Sequence, residues 1–167
     1  MLVIATSYAT FGWATTLVIA SGFLIGLILW LIFPGRPPYQ RIRAPYWLAL
    51  ALFIVHRVEE RFSGFFDTLA SVTGVATPDI VSVPVILLVV VSVGAWLLIP
   101  VLAGRGYDFG YYLAWTFFAS LGITELAHII VFPTLVGRPF AYFPGAASVF
   151  LLAPVAWWGM WRLARQS

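Results

Sequence analysis

Residues 46–60 read YWLALALFIVHRVEE, and the fold depends on how that stretch is understood. An unbroken apolar run from Tyr46 to Val55 is followed at once by His56, Arg57, Glu59 and Glu60. The run is long and apolar enough to belong to a membrane span, yet it ends in charge. An ionised side chain at membrane depth costs about 2.5–3.5 kcal/mol on insertion scales, so such residues mark function by default. A second stretch repeats the combination. Glu125-Leu126-Ala127-His128 lies within the apolar sequence between Phe109 and Phe132. The chain has two histidines and six acidic residues, and both histidines and three of the acids fall in these two short clusters.

Composition supports the membrane reading. The 167 residues are 62% hydrophobic and 9% charged, with a mean hydropathy of +1.01. Soluble domains carry about 25% charged residues. A span needs about 20 mostly apolar residues. Five stretches meet that requirement, at residues 8–33, 45–66, 80–103, 109–132 and 145–163. The expected fold is therefore all-α, a polytopic transmembrane helix bundle of about five spans in a single domain covering residues 1–167. The first stretch has no basic region before it and is too long for a signal peptide, so it reads as a retained span.

All nine basic residues are arginine. Arg36, Arg41 and Arg43 follow the first span, Arg105 follows the third, and Arg162 and Arg165 follow the fifth. The other side holds Arg138 with Asp67 and Asp79. By the positive-inside rule the N-terminus is out and the C-terminus in. The net charge of +3 is thus read as membrane topology, with lipid and not nucleic acid as the expected partner. The expected location is a prokaryotic cytoplasmic (inner) membrane. Two connections on the outer side, residues 63–78 and 134–145, are too apolar or too rich in turns to be free loops. They are expected to cap the second and fourth spans.

Residues three or four apart share a helix face. His56, Glu59 and Glu60 thus lie on one stripe, with Arg57 turned away, and Glu125 and His128 on another. Glu-x-x-His is the unit from which di-iron and di-manganese bundles are built. Two imidazoles and three carboxylates suit Fe, Mn or Zn, and the absence of cysteine argues against a soft-metal site. The expected metal ligands are His56, Glu59, Glu60, Glu125 and His128, holding one or two ions. Glu59 or Glu60 is the expected catalytic base. A bis-histidine haem on His56 and His128 fits less well, since it leaves three carboxylates beside an apolar macrocycle. Counted from the starts of their spans, the two histidines differ in depth by about 12 Å, which a tilt or kink must close. Ion pairs with Arg57 and Arg61 are the alternative that needs no metal.

The segment His56-Arg57-Val58-Glu59-Glu60, followed by Gly64-Phe65, resembles the signature of a family of small polytopic membrane proteins known for an HXXEE motif. The stretch Glu125-Leu126-Ala127-His128 and then Arg138-Pro139-Phe140-Ala141-Tyr142-Phe143-Pro144-Gly145-Ala146-Ala147 is similar to that family's C-terminal pattern. This chain departs from it in having no asparagine and in placing Phe132 four residues after His128, where the family tends to place a further histidine. The resemblance covers the chain from the second span onward. It implies a polytopic membrane protein with a metal or acid/base centre, and it implies no particular activity.

Three functions follow from these readings. One is a membrane-embedded metalloenzyme, an oxidoreductase or hydrolase, acting on a lipophilic small molecule. A second is a non-catalytic accessory subunit of a larger membrane complex, with the clusters as buried ion pairs. A third is a proton or ion relay through His56, Glu59, Glu60 and Glu125.

Overall fold

The computed structural model has helices joined by loops, and no strand, among the described residues, which are 2–77, 79 and 81–165, with the backbone alone described at residues 2, 3, 11 and 14. Pro78 and Ile80, the expected end of the first outer connection and start of the third span, lie outside the described residues. The elements are α1 (Leu2–Ile32), α2 (Tyr39–Phe62), α3 (Phe65–Thr73), α4 (Val83–Leu97), α5 (Ile99–Gly104), α6 (Asp108–Gly122), a 3₁₀ segment (Thr124–His128), α7 (Val131–Leu135) and α8 (Ala146–Ala164). Four helical stretches are long and apolar enough to cross a membrane: Thr15–Ile32, Val83–Gly104, Asp108–Leu135 and Ala146–Ala164. α2 has 24 residues, and its charged last turns set it apart from those four.

α6 is the axis of the bundle. It packs on α1, α8, α5, α4 and α2 and is buried along nearly its whole length. Close approach is made by small residues, as is usual where helices associate without a hydrophobic drive between them. On α1, Gly22 and Gly26 lie one turn apart. A Cβ added at Gly22 would strike Ser120, and one at Gly26 would come 2.6 Å from the Thr116 Cα. Gly159 of α8 leaves room for the Phe118 ring in the same way. Away from the axis the surface is apolar, with Leu17, Ile54, Val90 and Leu151 all exposed.

The half of the bundle around the start of α2 is filled by aromatic rings. Tyr46, Trp96, Trp115, Phe117 and Phe118 are buried together. The Tyr46 hydroxyl donates to the Trp96 carbonyl at 3.1 Å, and the Tyr111 hydroxyl donates to the Pro37 carbonyl at 2.9 Å. Arg36 pairs with Asp108 and so ties the start of α6 to the loop that precedes α2.

Three local features depart from the expected spans. α2 begins at Tyr39, before the expected start near residue 45. The third span is divided at Leu98, with Pro100 in the first turn of α5, where its missing N–H costs nothing. The fourth span is not one α-helix, since α6 stops at Gly122 and the chain continues as 3₁₀. The Gly122 carbonyl freed by that stop accepts from the Trp157 indole N–H at 2.6 Å, and Trp157 packs where a Gly122 side chain would stand. The connection after α2 forms α3, whose apolar face buries Phe65 and Leu69. With Ala127, Phe132 and Phe143 these residues make a second, smaller core at the end of the bundle where α2 finishes.

Candidate metal centre

His56 and Glu60 stand one turn apart on the last turns of α2 and are both buried. Glu125 and His128 come from the 3₁₀ segment. In a 3₁₀ helix the residues i and i+3 eclipse, so the break after Gly122 points this pair in one direction. The depth offset expected from sequence is largely removed by the early start of α2. Measured from Tyr39 and from Asp108, the two histidines differ by about one helical turn.

The four side chains meet at a point. One ligand atom from each lies within 4.8 Å of the others. His56 Nε2 is 3.5 Å from Glu60 Oε1 and 3.2 Å from Glu125 Oε2. His128 Nε2 is 3.4 Å and 3.3 Å from the same two oxygens. The two imidazole rings are edge to face, with centroids 4.9 Å apart. A His/Glu group of this kind could hold a metal ion.

The tautomers follow from the outer contacts. His128 Nδ1 is 2.6 Å from the Pro144 carbonyl, which can only accept, so Nδ1 carries the proton. His56 Nδ1 is 2.9 Å from Ser148 Oγ, and that hydroxyl already donates to the Gly145 carbonyl. Nδ1 of His56 therefore donates as well. With neutral rings both Nε2 atoms present lone pairs to carboxylate oxygens, and four acceptors face one another. His56 Nε2 and Glu60 Oε1 are buried with no hydrogen-bond partner. Such a group requires a cation at its centre, whether a proton or a metal. An N–H donated outward to a carbonyl or hydroxyl is also the usual support of a metal-bound histidine.

Arg57 does not turn away from this cluster. Its guanidinium spans both acids, with Nη1 at 2.6 Å from Glu60 Oε2 and Nη2 at 2.6 Å from Glu125 Oε1, and it lies over the Phe53 ring. It takes the outer oxygen of each carboxylate and leaves one inner oxygen for the centre. While Arg57 stays paired, each acid offers one oxygen to the centre, which suits a single ion better than the carboxylate bridges of a dinuclear Glu-x-x-His site. Arg61 is exposed and forms no ion pair among the described residues.

Glu59, expected both as a ligand and as a base, is elsewhere. It accepts from the Ala147 N–H at 3.1 Å, the Ser148 N–H at 2.7 Å and the Tyr142 hydroxyl at 2.9 Å. Its carboxylate caps the N-terminus of α8, where orphan N–H groups and the helix dipole favour an anion. The Tyr142 hydroxyl thus serves Glu59, and the Thr124 hydroxyl meets that of Ser21 at 3.2 Å.

Four contributors escaped sequence reasoning: the Pro144 carbonyl, Gly145, Ser148 and Phe65. Gly145 has φ +93°. A Cβ there would come 2.7 Å from His128 Nδ1 and 2.9 Å from His56 Cε1, so no side chain fits between the rings and the backbone. The Pro-Gly pair was the available signal, because it marks a turn that needs a left-handed residue. Phe65, Phe132 and Phe143 surround the His128 ring, with centroids 5.1 to 6.0 Å away.

An apolar cavity of about 150 Å³ reaches the centre from the side of α1, α3 and α4, and Arg57, Glu60, Glu125 and His128 form its polar wall. Compared with known proteins, the chain matches no family model, no curated protein and no solved structure.

Proposed function

We propose that this is an integral membrane metalloprotein with one divalent ion held by His56, Glu60, Glu125 and His128, and that it acts as a metal-dependent hydrolase on a lipophilic substrate. The observation that carries the reading is the convergence of two outward-anchored imidazoles and two carboxylates on one point, with nothing inside to donate a proton. Charge calls for a cation there, since Arg57 compensates only one of the two carboxylates in an apolar interior.

The ion proposed is zinc, which takes imidazole nitrogen and carboxylate oxygen. The four N···O separations of 3.2–3.5 Å form a ring of alternating donors with room for one ion between them. Iron and manganese accept the same donors, and the metal analysis below distinguishes them. Zinc has no redox chemistry, which selects the hydrolase over the oxidoreductase. When bound, the ion supplies Lewis acidity and a water of lowered pKa.

The chain's own residues do the rest. Arg57 holds both carboxylates in place when either loosens from the centre. Glu60, if released from the ion while Arg57 keeps its outer oxygen, would open a position for water and leave its inner oxygen to accept that water's proton. The aromatic box around His128 and the α3 cap keep bulk water out. The topology that suits this reading has five spans with the N-terminus out, so that the centre lies in the outer half of a prokaryotic cytoplasmic membrane. The pattern shared with HXXEE-motif proteins is in keeping with it.

Metal analysis of protein purified in mild detergent tests the proposal. One zinc per chain is expected in the wild type and none in His128→Ala. A folded wild-type protein that stays metal-free after reconstitution with zinc, iron and manganese would overturn it. In that case the second cation is a proton on the histidine pair, and the relay reading takes over.

A further inference from the structure

The cavity beside the centre does not end at Arg57. A second cavity, of about 180 Å³, lies on the other side of that guanidinium and shares Ile19, Leu88, Val89, Thr124 and Glu125 with the first. Together they form a cleft between α1 and α4, closed at the back by the polar cluster and continued by Phe23, Phe53 and Trp96. It opens to the surface of the bundle at Val89, which is 54% exposed. The walls suit an apolar chain arriving sideways from lipid.

Two observations say what the head of that chain must be. The first is charge. With a divalent ion in place the centre carries +2 from the ion, +1 from Arg57 and −2 from Glu60 and Glu125, with both imidazoles neutral. One positive charge is left over at membrane depth, where an uncompensated charge is costly. The second is Thr15, on α1 and on the wall of the first cavity. Its hydroxyl is buried without a hydrogen-bond partner. It lies just past Gly12, where φ 74° and ψ 179° interrupt the helix. An anion seated between the metal and Thr15 would remove both the spare charge and the unsatisfied hydroxyl.

We infer that the α1–α4 cleft binds a single-chain lipophilic carboxylate, head group at the metal centre and tail along Ile19, Leu88 and Val89. The inference rests on the metal reading above and narrows its ligand to a long-chain carboxylic acid, the product expected of acyl-ester or acyl-amide hydrolysis. Trp96 on the cleft wall provides the readout. Titration with cis-parinarate, a fluorescent long-chain carboxylate, at fixed detergent concentration should give saturable energy transfer from tryptophan at one ligand per zinc-loaded chain. Parinaryl alcohol lacks both the charge and an acyl bond to hydrolyse, and should bind at least about tenfold more weakly, as should parinarate to the zinc-stripped protein. Val89→Trp and Ile19→Trp fill the cleft and should weaken parinarate to a similar degree while retaining one zinc per chain.

Equal binding of acid and alcohol to protein with one zinc per chain would overturn the inference, with hydroxide then balancing the charge and the metal reading intact. Undiminished binding in a zinc-replete Val89→Trp or Ile19→Trp protein would overturn it as well. If both variants lose zinc, the comparison of acid with alcohol decides alone. Absence of zinc from the folded, reconstituted wild type would remove the metal reading, and this inference with it.

Discussion

The two ends of the bundle solve the same packing problem in opposite ways, although the same helices run through both. Around Tyr46, Trp96, Trp115 and Phe117, α2 and α6 meet through stacked and edge-on rings. Around His56 and Glu125 they meet through imidazoles, carboxylates and one guanidinium. At the aromatic end the Tyr46 and Tyr111 hydroxyls are satisfied within the chain, and the polar atoms left over, Trp115 Nε1 and the Tyr39 hydroxyl, are separate neutral groups. At the charged end the two atoms left over, His56 Nε2 and Glu60 Oε1, face each other 3.5 Å apart, where one cation would serve both. Aromatic packing and the candidate site are thus divided along the length of the helices.

The largest effects should separate the two ends cleanly. Phe117→Ala opens a cavity in the aromatic end and should cost about 3–5 kcal/mol in unfolding measured in detergent. It should leave the zinc content at one per chain. Arg57→Ala should cost a similar amount, about 3–5 kcal/mol, because it strands two buried carboxylates. Unlike the core variant, it should become strongly dependent on added metal for its thermal stability. If chelation lowers the melting temperature of both variants alike, the division between the ends is wrong.

A smaller effect tests the contact behind the histidines. Gly145→Ala places a Cβ against both rings at a positive φ, and should destabilise by about 1–3 kcal/mol. Metal titration should show it binding zinc well below the wild-type affinity. Ser148→Ala removes the acceptor of His56 Nδ1–H together with that hydroxyl's bond to the Gly145 carbonyl, and should weaken zinc binding by about 10-fold to 100-fold with little loss of fold. The smallest effect is expected at the neighbour of a ligand. Glu59→Gln weakens the cap on α8 and should cost about 0.5–2 kcal/mol while retaining one zinc. Loss of zinc in that variant would return Glu59 to the site from which the geometry excludes it.

The pair Glu59 and Glu60 shows how far sequence reading reaches. Helical spacing puts both on the stripe of His56, and nothing local distinguishes them. The difference is made by α8, whose free N–H groups at Ala147 and Ser148 claim Glu59. Arg57 shows the reverse. Its Cβ does point off the stripe, but the side chain is long enough to return to both acids. The depth mismatch between the histidines came from two boundaries that hydropathy blurs. α2 starts early at Tyr39, and α6 gives way to 3₁₀ after Gly122, where Trp157 takes the freed carbonyl.

Sequence alone determined the helical membrane-type architecture, the two clusters and the residue types that meet there. Those depend on local hydrophobicity and on spacing along one helix, both of which can be read along a single strand of text. The tertiary structure decided which carboxylate faces the centre, that Arg57 clamps both acids, that the ligands close on one point, and that Gly145 must have no side chain. These depend on groups distant in the chain competing for the same few ångströms. In a dry interior each unpaired charge or N–H takes whichever partner the fold brings within reach, and that outcome is not written in any one segment.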